Sequence, residues 1–377
     1  MLKFTMPIWV LFLSGHVSNS EIALLTSWLF GAILLLELPT GVLADLLGKK
    51  VIISIGLFIS MIAFFIYPFV TQFWHFFIVF TLLALGEALA SGSEEALIYD
   101  SLKEDKEENS FKKINGNLML LVQIGFVVAN VAGGWLYSIH PTLPFVINGF
   151  SLFIALLFSL HLKEPNVDSE VFTLQNYVKQ TRDGFLQLTK HKWIFQLGLF
   201  YVLVGGISWV FQRLVNFMVL TEVGVTAIGI GLIMGGFRLF NVIVLKKVMG
   251  IKWLEKSGFD FLLLPILMVV SYLPAYWAGR DVTVLLVGGS MIASTGRFMI
   301  LNPYLNEVID SKYRATTLSA LNMLVSLVLI ISILVSGPLI DMYGSKLVMT
   351  LFGVVSLILV VPLSLLVYRR RARFLSV

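Results

Sequence analysis

Apolar runs long enough to cross a membrane follow one another along almost the whole chain, and this succession limits the fold more than any other feature. A spanning α-helix needs roughly 20 predominantly apolar residues. Because every backbone polar group inside a bilayer must be hydrogen-bonded within the protein, each run is expected to form one transmembrane helix. The eleven runs cover about 21–44, 51–69, 73–100, 115–138, 142–162, 193–218, 225–247, 257–278, 282–309, 315–340 and 346–368.

A shorter apolar run, Phe4 to Leu13, precedes these eleven. It is too short to cross about 30 Å of hydrocarbon as an α-helix, and the sequence that follows it is a poor signal-peptide cleavage site. We interpret it as the end of a first helix that is truncated at the N-terminus, since Lys3 would otherwise lie deep in the membrane. A short or re-entrant segment is the alternative. Counted as the first helix, the run gives twelve.

The composition agrees with an integral membrane protein, and the sequence lacks the motifs of common enzyme classes. Hydrophobic residues make up 58% of the 377 residues and charged residues only 13%, and the mean hydropathy is +0.91. These values lie outside the range of soluble domains. The sequence contains no cysteine, nucleotide-binding loop, hydrolase elbow or zinc motif. We therefore predict a protein that is not an enzyme and has no cofactor and no metal site.

Lysine and arginine concentrate in alternate connections between the runs. The intervening connections hold only Arg280 and Lys346. The positive-inside rule places the basic connections and the C-terminus in the cytoplasm, so we predict a multi-pass protein of the inner or plasma membrane. The basic groups explain the calculated pI of 9.2 and give no reason to expect nucleic-acid binding. They are Lys49/Lys50, Lys103/Lys106/Lys112/Lys113, Lys163 to Lys192, Lys246/Lys247/Lys252/Lys256, Lys312/Arg314 and Arg369 to Arg373.

The longest polar stretch divides the runs into two groups of six. We predict an N-terminal bundle at 1–162, a linker at 163–192 and a C-terminal bundle at 193–377. Apolar side chains recur in the linker at helical spacing, which favours an amphipathic helix along the membrane surface. These side chains are Leu174, Val178, Thr181, Phe185 and Leu188.

A charged turn follows the second helix, in the stretch Glu37-Leu-Pro-Thr-Gly-Val-Leu-Ala-Asp-Leu-Leu-Gly-Lys-Lys50. It matches the signature G-x-L-A-D-x-x-G-[RK]-K, which lies between the second and third helices of major facilitator transporters. The chain therefore resembles that superfamily. The resemblance implies an all-α membrane fold with twelve transmembrane helices in two pseudo-symmetric six-helix bundles.

The same resemblance implies a gating role for this turn, which would hold the two halves together in one state of the transport cycle. A simple cytoplasmic turn that obeys the positive-inside rule is the alternative. Leu46 stands where the family usually has arginine, so a partner of the gating charge is missing or supplied elsewhere. The predicted gating residues are Gly41, Asp45, Gly48, Lys49 and Lys50.

A second stretch, Ser91-Gly-Ser-Glu-Glu-Ala-Leu-Ile-Tyr-Asp-Ser-Leu102, resembles one group of bacterial drug-efflux-like facilitators. That group also has the preceding Pro-Thr-Gly-x-x-Ala-Asp turn. The fifth helix departs from proton-driven drug antiporters, which often carry G-P-x-x-G-G there. This chain reads Ala129-Asn-Val-Ala-Gly-Gly134 and lacks the proline. Drug antiport is therefore a weaker expectation than membership of the superfamily.

Ionisable residues inside the N-terminal spans are candidates for a proton or substrate pathway, because charge is costly in a membrane. Glu87, Ser91 and Glu94 share one stripe of the fourth helix, flanked by small residues that leave room for water. Glu37 shares a face of the second helix with the gating turn. Since burial disfavours a charged carboxylate, Glu87 is the predicted proton carrier. Static pairing with an arginine is the alternative.

The C-terminal half supplies basic and aromatic candidates. Arginine side chains inside these spans could exchange ion pairs with the carboxylates of the other half, or they could hold an anionic substrate, and the sequence favours neither. Trp209 could stack on an organic substrate or face lipid. The predicted residues of this half are Trp209, Gln212, Arg238, Ser294, Arg297 and Tyr304.

These features predict a secondary transporter that works by alternating access and exports small organic compounds or drugs in exchange for protons. A proton-coupled importer of a nutrient or anionic metabolite is the first alternative. A transport-inactive membrane sensor on the same scaffold is the second. We expect a monomer in the lipid bilayer whose partners are protons and a small-molecule substrate.

Overall fold

Helices are the only regular elements in the part of the chain that the structure, a computed structural model, describes: residues 3–165, 182, 186–189, 191–249, 260–309 and 314–374. Short 3₁₀ turns extend or join several of them. The first six helices are α1 Trp9–Ser14, α2 Asn19–Leu47, α3 Lys49–Ile66, α4 Phe73–Glu104, α5 Phe111–Ile139 and α6 Leu143–Ser159.

The remaining helices include two π-helical turns, Phe211–Val215 and Ser356–Val360, each continuous with the helices on either side. The helices are α7 Lys192–Val210, α8 Asn216–Glu222, α9 Ala227–Met249, α10 Asp260–Tyr272, α11 Arg280–Val308, α12 Arg314–Tyr343, α13 Ser345–Val355 and α14 Val361–Phe374.

Eight helical stretches within the described ranges are long and apolar enough to cross a bilayer. Three shorter apolar helices, Leu143–Ser159, Ala227–Asn241 and Phe261–Tyr276, accompany them. Together with α1, they follow the order of the predicted segments, and the predicted all-helical membrane fold is confirmed. Most of the predicted linker helix lies outside the described residues.

The described residues form two compact units. Those within Met1–Tyr177 and Ala227–Gly235 form the first unit, and those within Val178–Thr226 and Gly236–Val377 form the second. The domain boundaries at 162 and 193 stay a prediction.

The ends of α2 are set by local chemistry. Ser18 accepts a hydrogen bond from the Glu21 backbone N–H, and the Glu21 carboxylate accepts one from the Ser18 backbone N–H, which makes a capping box at its start. At its end Gly48 has φ of 92°, a left-handed conformation that costs little only for glycine. α3 therefore begins at the next residue in a new direction.

Glycines bring α3 and α4 into close contact in the first unit. A Cβ added at Gly56 would lie 2.7 Å from the Gly86 carbonyl oxygen, and one added at Gly86 would lie 2.8 Å from the Gly56 carbonyl oxygen and would also collide with Ser60. Small residues at such crossings let backbones approach. The contact fixes the part of α4 that carries Glu87.

Replacing Gly86 by alanine is expected to lower the free energy of unfolding by roughly 1–3 kcal/mol, because the methyl group overpacks this contact. Gly92, on the same helix, is the matched control, since a Cβ there would meet nothing within 4 Å. Thermal unfolding of both variants in detergent checks this expectation. If Gly86→Ala and Gly92→Ala have equal melting temperatures, the α3–α4 contact does not require glycine at position 86.

Candidate functional site

A cavity of about 290 Å³ lies in the first unit among α3, α4, α5 and α6. Most of its wall is apolar and includes the rings of Phe64 and Phe126. Charged groups enter from α4 and from the segment before α1. The polar and charged residues of the lining are Lys3, Ser60, Glu87, Ser91, Glu94 and Asn148.

Glu87 forms an ion pair in this cavity with the ammonium group of Lys3. Both side chains are partly accessible, with 37% of Lys3 and 43% of Glu87 exposed. The sequence allowed an arginine as a static partner of Glu87, whereas the partner in the structure is a lysine. The partner is 84 positions away in the chain, and only the depth of Lys3 in the first apolar run pointed to it.

The backbone next to Lys3 is held in place by two other helices. The Phe4 N–H donates a hydrogen bond of 3.0 Å to Asn148 Oδ1 on α6. On α5, a Cβ at Gly133 would collide with the Phe4 carbonyl and lie 3.1 Å from Pro7. These contacts give the glycine of the fifth helix a packing role and direct Lys3 into the cavity.

Asn148 contributes an unused donor to the cavity. Its side chain is 0% exposed, and its Nδ2 has no hydrogen-bond partner among the residues that the structure describes. A buried donor without a partner costs free energy, so a site that leaves one open is suited to a ligand or water with an acceptor. Asn148 was not among the predicted residues, although a polar residue in an apolar run was visible.

The other predicted residues of the first unit are distributed as follows. Ser91 and Glu94 line the cavity with Glu87. Glu37 is exposed on α2 and is not part of this lining. α2 is joined to α4 near it, because Thr40 Oγ1 donates a 3.0 Å hydrogen bond to the Ala88 carbonyl.

The turn between α2 and α3 is held by a carboxylate that the sequence analysis did not select. Glu164 accepts hydrogen bonds of 2.7 Å from the backbone N–H groups of both Lys49 and Lys50. An anion at a helix N-terminus is stabilised by these free donors and by the helix dipole. A Cβ at Gly48 would lie 3.1 Å from the Glu164 carboxyl carbon. Glycine at this position therefore also makes room for the carboxylate clamp, by which we mean Glu164 bound to the backbone N–H groups of Lys49 and Lys50.

The ammonium group of Lys49 pairs with Asp100 near the end of α4. Asp45 and Leu46, by contrast, are exposed on α2, and a Cβ at Gly41 would meet nothing within 4 Å. Within the first unit the turn therefore draws its carboxylates from α4 and from the segment after α6. The gating role of the five turn residues stays a prediction.

Arg297 is the largest fully buried side chain of the second unit, with 0% exposure. Its guanidinium carbon lies 5.0 Å from the ring centre of Tyr201 and 4.8 Å from that of Trp209. Gly205 lies between these rings on the same face of α7, and a Cβ there would collide with the guanidinium. Cation–π contacts of this kind are strongest when desolvated. Trp209 thus contacts a buried cation, a partner that the sequence analysis did not foresee.

Further polar groups lie on both sides of Arg297 along α11. Ser290 Oγ donates a 2.9 Å hydrogen bond to Asn216 Oδ1. Ser294 is fully buried, and its Oγ has no hydrogen-bond partner in the described part of the chain. The Tyr304 ring packs against Phe261 with 4.5 Å between ring centres.

The predicted residue Gln212 lies in the π-helical turn that follows α7. Such turns occur often at functional sites, because they change the direction of side chains along an otherwise regular helix. Arg213 lies in the same turn, and its positive charge interacts with that of Arg238 on α9. Arg213, Arg238 and Arg297 therefore lie within helical segments of the second unit, away from the ends of the long apolar stretches.

The turn between α12 and α13 repeats the clamp of the first unit. Gly344 has φ of 83°, and the Glu222 carboxylate accepts hydrogen bonds from the backbone N–H and the hydroxyl of Ser345. Each unit thus closes one glycine turn with a carboxylate from a distant segment.

Comparison with known proteins agrees with this arrangement. Residues 1–327 match the sequence profile of the Major Facilitator Superfamily. An uncharacterised MFS-type transporter, YxaM of Bacillus subtilis (strain 168), is 30% identical over 163 residues, which are 43% of this chain and 40% of that protein. The match therefore spans less than half the length of this relative.

Solved structures share the fold over nearly the whole chain. The crystal structure of the nucleoside transporter NupG has a TM-score of 0.76 at 16% identity and covers 97% of this chain and 93% of its own. A bacterial homologue of the human lysosomal transporter Spinster, in an inward-facing and unoccupied conformation, has a TM-score of 0.72 at 17% identity with the same coverage. The profile match covers most of the chain, and the chain belongs to the Major Facilitator Superfamily of secondary transporters.

Proposed function

We propose that this protein exports small organic compounds in exchange for protons, with Glu87 as the proton carrier. The observation that carries the proposal is the position of Glu87 in a cavity between helices, paired with the partly exposed Lys3 and in a lining that contains one further carboxylate, Glu94. An ionisable residue at such a place in a membrane protein is a functional candidate by default.

The half-exposed pair of Glu87 and Lys3 is suited to exchange. A fully buried pair would be difficult to break, whereas a pair that water can reach is worth about 1 kcal/mol or less. A proton arriving at Glu87 would neutralise it and release Lys3. In the proposed cycle the protein alternates between states that are open to one side of the membrane, and the charge state of Glu87 biases which side is open.

The stretch from Ser91 through Leu102 resembles drug-efflux-like facilitators, and this resemblance favours export over import. Import of a nutrient or of an anionic metabolite is the alternative, and the buried Arg297 is the observation that favours it. A transport-inactive sensor is the second alternative, and the departures at Leu46 and in the fifth helix favour it.

Proteoliposomes that contain a pH indicator distinguish these functions. Substrate added outside should make the interior more alkaline if the protein exchanges substrate for protons, because protons leave as substrate enters. Symport would acidify the interior. Substrate movement without any pH change would contradict proton coupling, and no movement of any tested compound would favour the sensor.

The alternation of basic connections supports a cell-membrane location with a cytoplasmic C-terminus. We also propose that the protein acts as a monomer, with the bilayer, protons and one small molecule as its partners. Reporter fusions at Val377 that are active only in the cytoplasm would test the orientation.

A further inference from the structure

Lys3 occupies the acidic cavity in the way that a bound amine would. Its ammonium group pairs with Glu87, and its backbone is fixed by the contacts of Phe4 with Asn148 and Gly133. The side chain thus presents a primary amine on an alkyl chain to a carboxylate, between apolar walls. These are the features of an amphiphilic amine ligand attached to the protein itself.

Among the lining residues that the structure describes, carboxylates outnumber cationic side chains. Glu87 and Glu94 contribute two carboxylates, and Lys3 is the one cationic residue among the lining residues that the structure describes. Phe64 and Phe126 belong to the lining, and aromatic side chains can attract a cation or pack against an apolar group. Asn148 adds a buried donor without a described partner, which fits an acceptor atom near the amine.

We propose that the cavity binds organic cations carrying a protonated amine next to an apolar or aromatic group, and that Lys3 is a built-in competitor for the same carboxylate. This proposal rests on the proposed function, because it names the substrate class of the exporter. An incoming protonated amine displaces the Lys3 ammonium group and takes over its ion pair with Glu87. When the site is empty of substrate, Lys3 restores the ion pair with Glu87.

Equilibrium binding to the purified full chain in detergent tests the proposal without any gradient. The probe is dansylcadaverine, a fluorescent primary amine with an aromatic ring, and its N-acetylated form, which has no charge, is the matched control. Wild type should bind the amine at least about tenfold more tightly than the acetylated probe, because a charge-assisted hydrogen bond is lost.

Variants of Lys3 and Glu87 distinguish competition between Lys3 and the amine from a simple attraction of the amine to Glu87. Lys3→Gln should bind the amine up to about fivefold more tightly, since the competing pair is half-exposed and therefore weak. Lys3→Arg should resemble wild type, and Glu87→Gln should bind about tenfold more weakly. Lys103→Gln, which removes an exposed lysine near the end of α4, should leave the affinity unchanged.

Equal binding of the amine and the acetylated probe would overturn the proposal, and so would a Lys3→Gln variant that binds the amine no more tightly than wild type. If Lys3→Gln does not fold, Lys3→Met is measured in its place. If the protein binds the amine with these preferences but moves no protons, the proposed proton-driven export is wrong and the amine-binding site is still supported. Proton-driven export of compounds that carry no amine, without amine binding, would support the proposed function and contradict the amine-binding site.

Discussion

Replacing Glu87 by glutamine is expected to abolish proton-driven transport, so that the variant matches cells without the protein. The glutamine side chain has almost the same shape but can neither carry a proton nor hold the charge of Lys3. Loss of one charge-assisted hydrogen bond alone is worth roughly 1.5–3 kcal/mol. Transport in energised cells or vesicles measures this effect.

The matched control is Glu95→Gln, on the same helix. Glu95 is exposed, accepts a 3.1 Å hydrogen bond from Asn115 Nδ2 and is not part of the cavity lining. It should transport like wild type. Full activity of Glu87→Gln, with both variants inserted in equal amounts, would remove Glu87 from the proton pathway.

Replacing Arg297 by lysine is expected to lower transport about tenfold, although the charge is retained. The planar guanidinium lies against Tyr201 and Trp209 at 5.0 and 4.8 Å, and an ammonium group cannot stack on rings in the same way. A desolvated cation–π contact is worth about 2 kcal/mol or more. Arg297→Met, which keeps much of the length but no charge, should abolish transport if the cation takes part in the cycle.

Two further variants serve as comparisons for the Arg297 substitutions. Gly205→Ala should impair transport in the same direction, because its methyl group would displace the guanidinium while leaving every charge in place. Arg280→Met removes an exposed arginine at the start of the same helix, α11, and should have little effect. Normal transport by Arg297→Met would show that the buried charge serves neither substrate nor coupling.

The transmembrane organisation could be predicted from the sequence, because length and hydropathy determine a spanning helix almost by themselves. The predicted runs recur in order as helices, and the positive φ of Gly48 agrees with a glycine at a sharp turn. The glycine contact of α3 with α4 was only partly visible. Small neighbours around Glu87 indicated close packing, but the partner Gly56 could not be identified from spacing along one helix.

The partners of the charged groups could not be predicted, since they come from distant parts of the chain. The Lys3–Glu87 pair spans 84 positions, and the Glu164 contacts with the turn span 114 and 115. Helical periodicity shows which side chains share a face of one helix but not which helix lies opposite. The position of Arg297 between two rings of α7 was hidden for the same reason.

The most direct test of proton-driven export is the accumulation of fluorescent cationic and anionic compounds in efflux-deficient cells. Wild type, Glu87→Gln and an empty vector are compared with and without a protonophore. We expect wild type to lower the accumulation of cationic compounds, and both the variant and the protonophore to remove this difference. Equal accumulation in all three strains, with membrane insertion of the protein confirmed, would contradict proton-driven export.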